Sequence, residues 1–328
     1  MQKIRFGVLG VSNHFMKRIL FPLKRSAKAE VVAIASRNEE KASAFAKRHA
    51  VKKWYGSYDA LLEDPEIDAV YIPLPNHLHA EYSVKAAKAG KHILCEKPLA
   101  MNHKEVNMMV SAAEDAGVLI MEAFMYRFHP QWIKSREIVL SGELGSIVTT
   151  ICHFSYDNRD PSNIRNIRAY GGGALLDLGV YAVSSSRFLM DSEPERVFCE
   201  IVRDADSEVD IHTSGILDYG TTRSLFAVST RTSADQRFHV FGSSGKLSVE
   251  VPLNMYPDVP GHLTVATSIG TREIYTEVAD QYLLQFEAFA EAVTSGGESP
   301  IPGEDSLLNM RTVDALFGSA RQSRWIEL

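Results

Sequence analysis

Lys97 stands directly after the apolar run HILC and before Pro98. If that run is a strand, Pro98 stops its ladder and leaves the lysine at the carboxyl end, where open α/β sheets bind their ligands. Read without that context, a lysine in such a place is a solvated charge. Asp177 and Tyr181 lie four residues apart in GGGALLDLGVY, so on a helix they share a face, behind glycines that permit close approach of a ligand. The rest of that helix is apolar, so Asp177 must be exposed or paired.

A third group is Gly10-Val11-Ser12-Asn13-His14-Phe15, a glycine turn after the first apolar run. Strand, glycine turn and helix start together offer backbone N–H groups to a pyrophosphate. Against GxGxxG only Gly10 matches; Ser12 is small enough for close approach, and Phe15 departs from the small third residue. The second apolar run ends in Ser36-Arg37, with Lys41 one turn further on. No carboxylate stands there to take the ribose hydroxyls. A hydroxyl and a guanidinium fork suit a 2′-phosphate, so NADP(H) is expected ahead of NAD(H), the alternative being a solvated loop arginine. His77, His79 and Glu81 form an HxHxE run without further anchored ligands, so no metal is expected.

The elements that must position these residues follow from the patterning. IRFGVLG, VVAIA, DAVYIP, HILC and VLIM are short, nearly all-apolar runs separated by helical stretches starting near His14, Asn38, Ala80 and Asn102, as in a parallel, doubly wound α/β Rossmann sheet covered on both faces. Pro22 should kink its helix or fall near its end. From about Phe124 the texture changes to alternating runs (SIVTTICHF, RVFCEIV, TSGILDY, RSLFAVST, FHVFG, KLSVEV) with hairpin signals at DYGTT and GSSGK, and three helical stretches. The expectation is a Rossmann domain over 1–123 and, across a cleft from it, an α+β domain over 124–328 with a mainly antiparallel open sheet, which binds substrate and mediates oligomerisation through its bare sheet face.

The 328 residues, 45% hydrophobic and 23% charged, fit two soluble globular domains. A net charge of −6 lacks the basic field that nucleic acid or anionic membrane requires, so small molecules are the expected partners. Cys95, Cys152 and Cys199 are too few and too dispersed for a disulfide framework, which fits a cytoplasmic protein, and no signal or membrane-length apolar run is present.

Four segments, YIPLPNHLHAEY, HILCEKPLAMN, EAFMYRFHPQ and GGGALLDLGVY, resemble the glucose-fructose oxidoreductase, inositol dehydrogenase and MocA (Gfo/Idh/MocA) family over nearly the whole chain, nearest the branch of dihydrodiol and NADP-dependent xylose dehydrogenases, which VEVPLNMYPD also resembles. The resemblance implies that Glu96-Lys97-Pro98 carries the essential lysine and that Tyr181 is the catalytic tyrosine, where inositol dehydrogenase-like members have histidine. It implies that Pro73, Leu74, Asn76 and His79 line the adenosine and nicotinamide ribose path, with Glu96 beside them, and that Arg127 and His129 stand near the nicotinamide or serve as a brace. Arg168 either binds substrate hydroxyls or balances Asp177. Lysine and tyrosine each titrate near about 10, but an ammonium beside a phenol favours the phenolate, so Tyr181 takes the proton and Lys97 supplies charge, with exchanged roles as the alternative. The activity so implied is NADP-dependent hydride transfer to or from a sugar or vicinal diol by a homodimer or homotetramer. The alternatives are an NADPH-dependent reductase of keto-sugars or nucleotide-linked keto-sugars and, in another class, a non-catalytic NADP-binding sensor.

Overall fold

The computed structural model describes residues 3–328. Two compact units emerge: residues 3–125 with Tyr282–Leu307, and Tyr126–Gln281 with Leu308–Leu328.

The first unit opens with β1 (Ile4–Leu9), a wide π turn (Phe15–Ile19) and α1 (Leu20–Leu23), whose last turn holds Pro22. Then come β2 (Ala29–Ala35), α2 (Glu39–His49), β3 (Lys53–Tyr55), α3 (Tyr58–Leu62), β4 (Ala69–Ile72), α4 (His79–Lys88), β5 (His92–Cys95), α5 (His103–Asp115) and β6 (Ile120–Glu122). The strands pair in parallel in the order β3-β2-β1-β4-β5-β6. Strands covered on both faces need apolar residues at every position, and β4 and the end of β1 are buried throughout. β3 escaped the sequence reading because it is three residues long and none of them is buried. Chain direction reverses its progress across the sheet between β1 and β4, and such a switch point opens a crevice beyond the strand ends.

The second unit holds α6 (Pro130–Leu140), β7 (Ile147–Asp157), a π turn (Leu175–Gly179) running into α7 (Val180–Met190), and the strands β8 (Arg196–Arg203), β9 (Asp210–Asp218), β10 (Arg223–Ser229), β11 (Arg231–Gly242), β12 (Gly245–Val249), β13 (Pro260–Thr267) and β14 (Gly270–Val278). After α8 (Gln281–Ser295) and α9 (Gly303–Gln322), β15 (Ile326–Glu327) completes a nine-stranded sheet ordered β14-β13-β12-β11-β7-β10-β9-β8-β15. Only β7 and β10 pair in parallel; the other neighbours are antiparallel. The expected hairpins are present, linking β9 to β10 and β11 to β12. Alternation sets the buried face: Ser224, Phe226 and Val228 point inward from β10 while Leu225 and Ala227 stay partly exposed.

Most of α8, with the chain after it as far as Leu307, packs with the first unit and not with the strands that precede it. Phe286 meets Phe6 and Tyr71 edge-on at 5.1 Å each, and both Phe286 and Phe289 are fully buried. Fully enclosing a phenylalanine contributes about 2–3 kcal/mol, which is reason enough for this segment to return to the β1–β4 surface.

Candidate active site

A pocket of about 340 Å³ lies at the strand exits of the first unit, lined by Gly10, Val11, Ser12, Ser36, Arg37, Asn38, Lys41, Tyr58, Pro73, Leu74 and Pro75. Gly10 is at φ +109°, and a Cβ there would stand 3.2 Å from Leu74 Cδ2, so only glycine fits both the turn and its wall. Ser12 Oγ accepts the Phe15 N–H at 3.1 Å, closing the turn. Ser36 Oγ accepts from Asn38 N–H, and Asn38 Oδ1 caps α2 by accepting the Lys41 N–H at 2.8 Å. The ribose end is thus the capped N-terminus of a helix, flanked by a guanidinium and an ammonium and without a lining carboxylate, which is suited to a phosphate dianion.

Seven expected residues, Gly10, Ser12, Ser36, Arg37, Lys41, Pro73 and Leu74, line this pocket. Sequence reasoning missed Val11, Asn38, Tyr58 and Pro75. Asn38 had a signal as a helix cap; Tyr58 sits beyond the unrecognised β3. Burial pushes the Tyr58 phenol up, while the Arg37 guanidinium facing it pulls the other way, so it stays a hydrogen-bond donor.

At the exit of β5, Glu96 accepts a 2.5 Å hydrogen bond from the Tyr71 hydroxyl, and His14 Nε2 stands 3.4 Å from the same oxygen. Burial pushes the Glu96 carboxyl up, but His14, Tyr71 and Lys97 outweigh it and hold it down at about 2. His14 also meets the Tyr282 ring edge-on. Lys97 is half-buried, its peptide with Pro98 is cis, and the Leu99 N–H donates to the enclosed Glu122 carboxylate at 2.9 Å. Asn13 is exposed and Asn76 half-buried, each at the start of a turn.

Two expected cofactor residues are enclosed instead. The Phe15 ring is fully buried against Phe45 and Tyr71, because the π turn rotates it into the core. His79 is also fully buried, with Nδ1 2.8 Å from the Pro98 carbonyl and Nε2 2.8 Å from the Leu74 carbonyl. Neither side chain is available to a ligand. Among the described residues no group of His, Cys, Asp and Glu is arranged to hold a metal ion.

In the second unit the Asp177 carboxylate accepts hydrogen bonds from Tyr156 (2.5 Å) and Arg165 (2.9 Å). Asp177 in turn raises the Arg165 guanidinium above its ordinary value; burial, then Asp177, raises the Tyr156 phenol, which remains a donor. Arg165 therefore does the balancing considered for Arg168, and Arg168 pairs with Glu208 at the surface. Tyr181 is buried, against the rings of Phe154 and Tyr126. The helix that carries Asp177 and Tyr181 begins where Gly173, at φ +125°, leaves room for the buried Asp210 carboxylate, which accepts the Leu175 N–H at 2.6 Å and the Thr213 hydroxyl at 3.1 Å. Arg127 stacks on Phe188 at 4.8 Å, and His129 is enclosed and caps α6.

Residues 4–124 match the oxidoreductase family with an NAD-binding Rossmann fold, and residues 132–248 match the Gfo/Idh/MocA C-terminal domain. The chain is 40% identical to an uncharacterized oxidoreductase of Rhizobium meliloti over 99% of both chains, and 39% identical to the NADP(+)-dependent D-xylose 1-dehydrogenase 2 of Haloferax volcanii over 98% of this chain and 99% of that one. A 3-ketoreductase from Actinomadura kijaniata, solved with NADP and TDP-benzene, superposes with a TM-score of 0.92 at 30% identity, over 97% of this chain and 98% of that one. With both matched regions and full-length relatives in agreement, the chain belongs to the Gfo/Idh/MocA family of oxidoreductases.

Proposed function

We propose that this protein is an NADP-dependent oxidoreductase that transfers a hydride between the nicotinamide and a carbon of a sugar or vicinal diol. The observation that carries the reading is the ribose end of the pocket, which Ser36, Arg37 and Lys41 line and no carboxylate does. Its relatives support the same choice: the Haloferax volcanii enzyme is named for NADP(+), and the Actinomadura kijaniata enzyme was solved with NADP. Bound here, the dinucleotide supplies the hydride acceptor or donor.

The chain's own residues then handle the proton and the charge. Tyr181 exchanges the proton with the substrate, and the Lys97 ammonium supplies the positive charge that holds a substrate oxygen. Asp177, fixed by Tyr156 and Arg165, orients a substrate hydroxyl. The similarity to the 3-ketoreductase favours one second reading, reduction of a keto-sugar with the same residues returning the proton. Lys97→Met is expected to lower kcat by at least about a hundredfold, some 3 kcal/mol of transition-state stabilisation, with the dinucleotide still bound. Unchanged turnover would overturn the assignment. Rates with NADP and aldoses, set against NADPH and keto-sugars, separate the two directions; dinucleotide binding without transfer on either panel would reveal a sensor.

The proposal extends to setting and assembly. The three cysteines are buried and free, which suits a reducing cytoplasm. Among the described residues no helix is long and apolar enough to cross a membrane. The nine-stranded sheet leaves Ile151, Val202 and Tyr275 exposed, which suits a homodimer or homotetramer; a concentration-independent monomer in sedimentation would overturn it.

A further inference from the structure

His79 opens α4, a place usually wetted by solvent, yet its ring is fully enclosed between two carbonyls at 2.8 Å. Those carbonyls belong to different strand exits. Leu74 follows β4, lines the dinucleotide pocket and packs over Gly10; Pro98 follows Lys97 at the exit of β5. Both loops leave their strands as irregular chain, and irregular backbone holds its place only through such contacts. The lysine loop has a second grip one residue on, where Glu122 accepts the Leu99 N–H. Both partners of His79 are carbonyl oxygens, which only accept, so the neutral ring donates its one N–H to one of them and packs against the other. Glu122 and His79 thus brace consecutive residues after Lys97, and His79 also borders the pocket wall.

We infer that His79 is the positioning residue of this site, its ring tying the Leu74 wall of the dinucleotide pocket to the backbone that presents Lys97 so that the two loops hold one register. The inference rests on the reading of Lys97 as the lysine that acts on substrate. It explains a residue that the family resemblance placed on the ribose path: the histidine matters to the dinucleotide without touching it. A misplacement of a reacting group by a fraction of an ångström costs rate even where binding survives, so the two arms of the ring should have separable effects.

Asparagine and glutamine divide those arms. The amide of His79→Asn reaches about as far as Nδ1 and keeps the Pro98 contact; that of His79→Gln reaches about as far as Nε2 and keeps the Leu74 contact. For His79→Asn the dinucleotide Kd, read by calorimetry, is expected to rise about tenfold and by more than kcat falls; for His79→Gln kcat is expected to fall about thirtyfold and by more than Kd rises. A merely structural histidine would lower Tm in both and give no such crossing. Folded variants that lose Kd and kcat in equal proportion, or lose neither, overturn the inference. Should the variants not fold, wild-type protein labelled with 15N-histidine decides: a pinned ring shows a slowly exchanging ring N–H and no titration between about pH 6 and 9, whereas a freely exchanging, titrating ring overturns it. An undiminished Lys97→Met enzyme removes the underlying reading but leaves the Kd effect of His79→Asn; an inert Lys97→Met beside a His79→Gln enzyme of normal kcat removes this inference alone.

Discussion

The strand-exit pocket of the first unit and the glycine turn of the second hold their functional residues in opposite ways. In the pocket, the glycine turn, the β2 end and the β4 loop each contribute a few residues that the parallel topology has already brought to one edge, and the ribose-end groups Arg37, Asn38 and Lys41 are exposed. At the glycine turn of the second unit, a few polar contacts do the positioning: the buried Asp210 fixes the helix start, and the half-buried Tyr156 and Arg165 fix Asp177. A site held by topology spreads its energy over many small terms. A site held by buried polar groups concentrates it, because each lost partner leaves a group that water cannot reach.

The largest consequence concerns Asp210. Burial raises its carboxyl above the usual range, so it is an uncomfortable group kept by what it holds, and Asp210→Ala would orphan the Leu175 N–H and the Thr213 hydroxyl together. The expected loss is on the order of 3–5 kcal/mol, read by urea unfolding followed at the enclosed Trp132, with turnover falling as Asp177 and Tyr181 lose their helix start. A loss under about 1 kcal/mol would break the contrast between the two regions.

Next is His129, which caps α6 by accepting the Gln131 N–H through Nδ1. Burial pushes its ring down to about 4. Between about pH 6.5 and 4 the unfolded chain therefore binds a proton that the folded chain refuses, and stability falls as pH falls through that window. The expected decline is up to about 3 kcal/mol, and His129→Asn, which keeps an acceptor for the cap, should flatten it. A pH profile of unfolding free energy that is the same in both proteins would show that the ring is not kept neutral by burial.

How much of this was legible depends on whether a residue acts through its place in the chain or through its facing. The parallel strands β1, β2, β4, β5 and β6 are readable because two covered faces demand continuous apolar runs. α6 is not, since Trp132, Ile138 and Val139 turn inward while Ile133 and Leu140 remain about half exposed, which blurs its periodicity. β14 is missed for a related reason: it is an edge strand with no buried residue. At the site, Gly10, Ser36 and Arg37 follow from spacing because strand ends fix their position. Phe15 and His79 do not, because the same spacing serves a side chain that faces the ligand and one that faces the core. Tyr156 and Asp210 carry no local signal at all; the pairing of β7, β10 and β9 brings them to the glycine turn from about 20 and 35 residues away.

The smallest effect sharpens the contrast from the other side. Asn38 caps α2 much as Asp210 caps the helix after the glycine turn, with a 2.8 Å bond to the Lys41 N–H, but it is exposed, and Glu39 and Glu40 already favour the helix N-terminus. Water can take over the freed N–H, so Asn38→Ala should cost about 1 kcal/mol, well below Asp210→Ala although both remove a carboxyl or amide oxygen from a helix start. Asn38→Asp should restore the stability while placing a negative charge at the ribose end, so its NADP affinity should fall by about tenfold, with affinity for NAD changing less, as measured by calorimetry. If Asn38→Asp instead bound both dinucleotides like the wild type, the 2′-phosphate would not lie at Ser36, Arg37 and Lys41, and the exposed end of the pocket would be a helix cap and nothing more.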